Sequence, residues 1–109
     1  MTRVIYDSEN LSLTVTGHAG SAEYGSDLVC AALSVLCYTV EEALEQEWEI
    51  TVPTVDRADG EIRISCQCEE EWSERCRCIM DTAFTGFRIL AEHYPEYVSA
   101  EEVGGDWRM

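Results

Sequence analysis

Basic residues are scarce in this chain. Seven stand against 22 acidic ones, for a formal net charge of −15. Nucleic-acid phosphates are held by Lys and Arg, so this balance argues against direct nucleic-acid binding. It favours a basic protein as partner, because a negative field speeds encounter with positive ligands. Plain solubility is the other reading of the same charge. Long apolar runs are missing as well. None approaches the ~20 residues of a membrane span, so no membrane role is expected. No basic start followed by an apolar core opens the chain, so no secretory signal is expected. The expected location is the cytoplasm, where thiols stay reduced, and the six cysteines are not expected to pair as disulfides. There is no linker and no internal repeat beyond a coarse ββα-ββα rhythm.

What is present suffices for one domain over residues 1–109, since 46% of the residues are hydrophobic and the length allows one real core. Residues 2–6 are β-branched and aromatic, residues 7–10 form a polar turn cluster, and residues 11–16 alternate with Leu11, Leu13 and Val15 on one face. This predicts a hairpin. A helix is predicted from Ser26 or Asp27, either of which can cap it, to about Glu47. Leu28, Ala32, Val35, Leu36, Thr39, Ala43 and Leu44 form its expected core stripe, and Cys30, Ser34, Cys37 and Glu41 an adjoining one. A third strand is expected over Trp48–Val55, at an edge or strand end because of Pro53. A fourth covers residues 61–68, with Ile62, Ile64, Cys66 and Cys68 sharing the buried face. The second long helix runs from Ser73 to about Tyr94, where Pro95 stops it. A short strand over Glu96–Ala100 and a loose tail over 103–109 complete an α+β, ββα-ββα-β fold.

The chemistry concentrates in residues 17–32. Gly17, Gly20 and Gly25 punctuate a loop between strand and helix, with Gly20, Ser21, Ala22, Glu23, Tyr24 and Gly25 as its expected substrate-facing part. His18 sits at the front of the loop and Cys30 behind it, in what is expected to be the first helical turn. A thiol there feels unpaired N–H groups and the positive end of the helix dipole, both of which favour the thiolate. A cysteine and a histidine facing one loop suit a nucleophile and its base. The competing reading makes Cys30 a small core residue and His18 a loop residue without a role. Spacing alone does not choose between them.

The residues Gly17-His18-Ala19, followed by Gly25 and Asp27-Leu28-Val29-Cys30-Ala31-Ala32, closely resemble the motif of the ribosomal-processing cysteine protease family, Prp. Leu28 stands where that motif carries isoleucine. The likeness extends over most of the chain, to Tyr94-Pro95-x-Tyr97. It implies a cytosolic, homodimeric cysteine endopeptidase with a mixed sheet covered by two long helices and no cofactor. The implied task is removal of a short N-terminal extension from a ribosomal large-subunit protein. The implied catalytic residues are Cys30 as nucleophile and His18 as general base and acid. Asp27 and Ser34 match positions near the family site; Asp27 either orients His18 or caps the helix, and Ser34 faces either the pocket or a neighbouring helix. Backbone N–H groups at the helix start would serve as oxyanion donors.

Alternatives are a viral or prophage relative that processes a capsid protein, a non-catalytic ribosome-associated binding protein, and a zinc-bound structural protein. The last would use Cys66-x-Cys68 and Cys76-x-Cys78. Structural zinc sites favour CxxC spacing, and residues two apart on a helix point roughly 200° apart, so no metal site is expected.

Overall fold

The computed structural model describes residues 1–17 and 24–108, with backbone alone over 24–27. The elements are β1 (Thr2–Asp7), β2 (Ser12–Thr16), α1 (Tyr24–Glu45), β3 (Thr51–Ala58), β4 (Glu61–Cys68), a 3₁₀ turn (Glu70–Trp72), α2 (Ser73–His93), β5 (Val98–Val103) and a closing 3₁₀ turn (Gly105–Arg108). The ββα-ββα-β order expected from the alternating and helical patterns is therefore present. The strands form one mixed sheet in the order β3-β4-β2-β1-β5. Among the described residues only β1 and β5 pair in parallel. β3 is an edge strand, where Pro53 loses least by lacking an N–H.

Register explains which face is buried. Tyr6 pairs with Leu13 and Val4 with Val15 across β1 and β2, while Leu13 pairs with Ile64 and Val15 with Ile62 across β2 and β4. Side chains alternate along a strand, so these rows share one face. That face meets both helices in a core that includes Val29, Leu33, Val40 and Leu44 of α1 and Met80, Phe84 and Phe87 of α2. Gly86 lets the helices approach: a Cβ there would lie 2.6 Å from Leu36 Cδ2.

The turn before β2 is held by Asp7, whose Oδ1 accepts the Glu9 and Asn10 N–H groups, each at 3.1 Å. Leu11 then takes a positive φ of 55° and buries its side chain.

Four expectations are corrected. The α1 core stripe is rotated: Leu28 and Val35 are each 62% exposed, and Thr39 is exposed, while Val29, Leu33, Cys37, Val40 and Leu44 face inward. The helix is apolar on more than one side, so periodicity alone did not fix its inner face. β3 runs three residues later than expected, from Thr51 to Ala58, with Thr51 buried and Val52 turned outward. β5 likewise begins and ends later, at Val98 and Val103.

Finally, the tail is not loose. The Trp107 ring lies between the Arg77 and Arg108 guanidinium groups, 4.4 and 4.3 Å from its centroid, and its Nε1 donates to Ser8 Oγ at 3.0 Å. Arg108 donates to both Asp81 Oδ1 and Glu102 Oε2 at 2.6 Å. Tyr6 Oη also donates to Asp81 Oδ1, at 2.6 Å. Burial, followed by the Asp81 hydrogen bond and charge, pushes the Tyr6 phenol well above its ordinary range.

Candidate active site

β2 ends against the β3–β4 turn. Gly17 N–H donates to the Gly60 carbonyl at 2.8 Å. Gly17 has φ of +90°, and a Cβ on it would run into the Met1 carbonyl oxygen. That oxygen has little room to retreat, because Thr2 N–H is tied to Tyr97 O at 2.8 Å. Only glycine fits this exit from the strand.

A cleft of about 390 Å³ opens here. Gly17 and Val15 line one side, Cys30, Leu33, Ser34 and Cys37 of α1 another, and Ile62 with the β3–β4 turn the rest. Cys30 and Ser34 are one helical turn apart and so look into the same space. Cys30 is half-buried, whereas Cys37 is buried at the cleft floor. Burial, and then the Glu41 carboxylate, push the Cys37 thiol up to about 11, against an opposing pull from Arg57. Cys37 therefore stays a thiol at neutral pH, and its burial makes it a poor nucleophile.

Arg57 also lines the cleft and forms an ion pair with Glu41, which is itself buried. Arg57 lies on β3, two residues past Val55, where the strand was expected to end. Glu41 was on the Cys30–Ser34–Cys37 stripe, and a carboxylate continuing a stripe that faces a cleft is the available signal that a cation meets it. The cation's identity depends on strand pairing that the sequence does not display.

Some expected site features move. α1 begins at Tyr24, so Cys30 is its seventh residue and not in the first turn. Its amide faces the Ser26 carbonyl by the i→i−4 rule, and the unpaired N–H groups belong to residues 24–27. The helix-start argument for a thiolate, and for oxyanion donors beside Cys30, loses its basis. Ser26 and Asp27 lie inside the helix, so neither is its cap, and Tyr24 and Gly25 are helical and not loop. His18, Gly20, Ser21, Ala22 and Glu23 lie outside the described residues, as does the Asp27 side chain. α2 ends at His93, one residue before Tyr94. Among the tryptophans, Trp48 is exposed and flanks a surface hollow with Trp72 and Arg75, well separated in the chain from Trp107.

A thiol set on a helix, in a cleft where a central strand ends, defines a small α+β protein with a candidate cysteine nucleophile. The chain belongs to the cysteine protease Prp family, whose model matches residues 1–99. The crystal structure of SMU.848 from Streptococcus mutans is similar at 31% identity, covering 93% of this chain and 90% of that one, with a TM-score of 0.69. The essential ribosomal processing protease Prp from S. aureus shares the fold. Its complex with a covalently linked product peptide aligns at 21% identity over 93% of this chain and 96% of that one, TM-score 0.72. Its substrate-peptide complex aligns at 20% identity with the same coverage and TM-score. No curated protein matches this chain. Among the described residues no helix is long and apolar enough to cross a membrane.

Proposed function

We propose that this chain is a cytoplasmic cysteine endopeptidase that removes a short N-terminal extension from a ribosomal large-subunit protein. Cys30 is its nucleophile and His18 its general base and acid. The observation that carries the reading is the half-buried Cys30 lining a cleft together with Gly17, the residue that leads into His18. In the reaction His18 takes the thiol proton and Cys30 Sγ attacks the scissile carbonyl carbon. The C–N bond breaks as His18 returns the proton to the leaving amine. Water, deprotonated by His18, then releases the acyl group from sulfur.

The rest of the cleft suits a peptide. Val15, Leu33 and Ile62 give it apolar walls, and Ser34 offers a hydroxyl beside Cys30. The net charge of −15 suits a basic substrate. The S. aureus relative was solved with peptides bound, which is consistent with this use. Residues 1–109 act as one domain in this reading, and Asp27 supports His18.

The reading includes a homodimer. Leu28, Val35 and Tyr38 of α1 and Ile89 of α2 are exposed apolar side chains that a second copy would cover. Light scattering coupled to size exclusion tests this, and a monomer at assay concentrations overturns it. Activity is tested by incubating the chain with the ribosomal protein carrying its extension. One cut is expected, lost in Cys30→Ala and His18→Ala. No cut, or a cut that survives both substitutions, refutes the assignment.

A further inference from the structure

Three of the four cysteines outside the cleft converge. The Sγ atoms of Cys66, Cys68 and Cys76 all lie within 4.8 Å of one another. Cys66 and Cys68 come from the inward face at the end of β4, and Cys76 from the first turn of α2. The 3₁₀ turn Glu70–Trp72 folds the chain back and brings them together. Cys78, two residues on, is exposed and points elsewhere. CxC spacing on a helix turns Cys78 away from Cys76 and so disfavours a four-cysteine site, whereas one CxC pair on a strand and a single helical cysteine can face one point.

We propose that Cys66, Cys68 and Cys76 form a binding site for a thiophilic divalent cation of the zinc type, with solvent as the fourth ligand. With zinc–sulfur bonds of about 2.3 Å, tetrahedral thiolates sit roughly 3.8 Å apart, so the sulfurs need to draw in by at most about an ångström. Cys66 and Cys76 are buried, whereas Cys68 is partly exposed, which gives the ion an entry and the fourth ligand a place. Thr51 Oγ1 donates to Gln67 O at 2.9 Å and lies 2.8 Å from Cys66 Sγ, so the free thiol can donate to it and be held in place.

Charge favours a divalent ion. Each thiol gives its proton to solvent on binding, so three thiolates and a 2+ ion leave a net charge of −1. A monovalent ion would leave −2 in a partly buried site on an acidic protein. Arg77 is near enough to act on Cys68 and is fixed by its own bond to Ser8 O at 2.8 Å, so a counter-charge is in place. Burial raises all three thiols in the free protein. Once bound, the ion ties the far end of the β3–β4 hairpin to the start of α2.

The test uses the full chain, reduced and stripped of metal, titrated with Zn²⁺ against a chromophoric chelator and with Co²⁺ followed by its thiolate charge-transfer absorption. One equivalent is expected to bind, with a tetrahedral cobalt spectrum. Affinity should be unchanged in Cys30→Ala and Cys78→Ser and at least ten-fold weaker in Cys68→Ser and Cys76→Ser. Cys68 is partly exposed, so its serine variant reports even if Cys76→Ser fails to fold. Zinc should also raise the unfolding temperature of the parent and leave that of Cys68→Ser unmoved. No binding, or binding that survives Cys68→Ser, or binding that is lost in Cys30→Ala or Cys78→Ser, overturns the proposal.

Discussion

Gly17→Ala separates the geometry of the strand exit from every other feature of the cleft. Two costs arise together. A non-glycine residue at φ +90° lies beyond the usual left-handed well, and such strain costs about 1–3 kcal/mol. The new Cβ also meets the Met1 carbonyl, and forced overpacking typically costs another ~1–3 kcal/mol. The carbonyl is backbone, and its neighbour Thr2 is pinned to Tyr97, so the clash is not relieved by rotating a side chain. A loss of roughly 2–6 kcal/mol is large against the ~5–15 kcal/mol that stabilises a typical domain. With a urea m value of about 2 kcal/mol per molar, the unfolding midpoint should fall by roughly 1–3 M.

The same substitution should also impair cleavage among molecules that remain folded. If the chain leaves β2 at a new angle, the residue after Gly17 is displaced. A misplacement of ~1 Å in reacting groups can cost on the order of 100-fold. Urea unfolding of the variant, and kcat/KM corrected for its folded fraction, read the two effects separately. A midpoint within ~0.3 M of the parent would show that Gly17 is not structurally required. Normal kcat/KM in the folded fraction would sever the proposed link between the strand exit and catalysis.

Three further outcomes are expected. If His18 takes the Cys30 proton as proposed, iodoacetamide should alkylate Cys30 faster than Cys78 below neutral pH, although exposure alone ranks the exposed Cys78 first; peptide mapping over time checks it, and Cys78 leading would remove the case for a Cys30 activated by His18. Arg108→Ala leaves Asp81 and Glu102 without their shared cation and Trp107 without one of its two flanking guanidinium groups. Because these groups are partly solvated, the loss should be about 1–2 kcal/mol, a fall of several degrees in melting temperature by calorimetry, and an unchanged melting curve would mean the tail is not held by this network. Acid should destabilise the fold through Asp7 and Glu102. Burial pulls each carboxyl upward, but hydrogen bonds from Asn10 and Glu9 to Asp7, and from Ser8 and Arg108 to Glu102, outweigh it and hold both below their ordinary values of 3.8 and 4.5. The folded state thus binds these protons less readily than the unfolded one, so the contribution is complete above about pH 4.5 and is lost as pH falls through the lowered folded values. Urea midpoints against pH should show this slope, and Asn10→Ala, which removes one of Asp7's donors, should flatten it; an unchanged slope would exclude Asp7 as a contributor.

The element order was legible because alternation and helical spacing are local properties. Ile62, Ile64 and Cys66 face inward as their period requires, and Phe84 and Phe87 do so on α2. The inner face of α1 was less legible. Leu28 and Val35 are as apolar as Val29 and Leu33, and only packing against the sheet separates the two stripes. The inner face of β3 was hidden for a related reason: Thr51 is buried at the edge, where Cys66 Sγ and the Gln67 carbonyl meet its hydroxyl. Trp107 and Arg108 looked like tail residues because their partners Ser8, Arg77 and Asp81 are far away in sequence. At the site, the cysteine and its glycine-bounded setting were readable as a motif. The register that places Arg57 against Glu41 was not.

β4 connects the two thiol environments and explains why they differ. Its first residues, Glu61 and Ile62, border the cleft, and its last inward positions, Cys66 and Cys68, belong to the thiol cluster. Six residue steps from Ile62 to Cys68 span about 20 Å at roughly 3.4 Å per residue, so the two sites do not share ligands or substrate. At the cleft end the central strands give way to a turn, and one half-buried thiol is left with open space before it. At the other end the hairpin closes under α2, and three thiols pack against one another and against Thr51. A single nucleophile needs the first setting, because a substrate must reach it, and the other thiol of the cleft, Cys37, is buried. An ion held by several sulfurs needs the second, because its ligands must already be close before it arrives. The placement of the cysteines along one strand and two helices therefore keeps the proposed nucleophile apart from the proposed ligating set, and the variants Cys30→Ala and Cys68→Ser address each without touching the other.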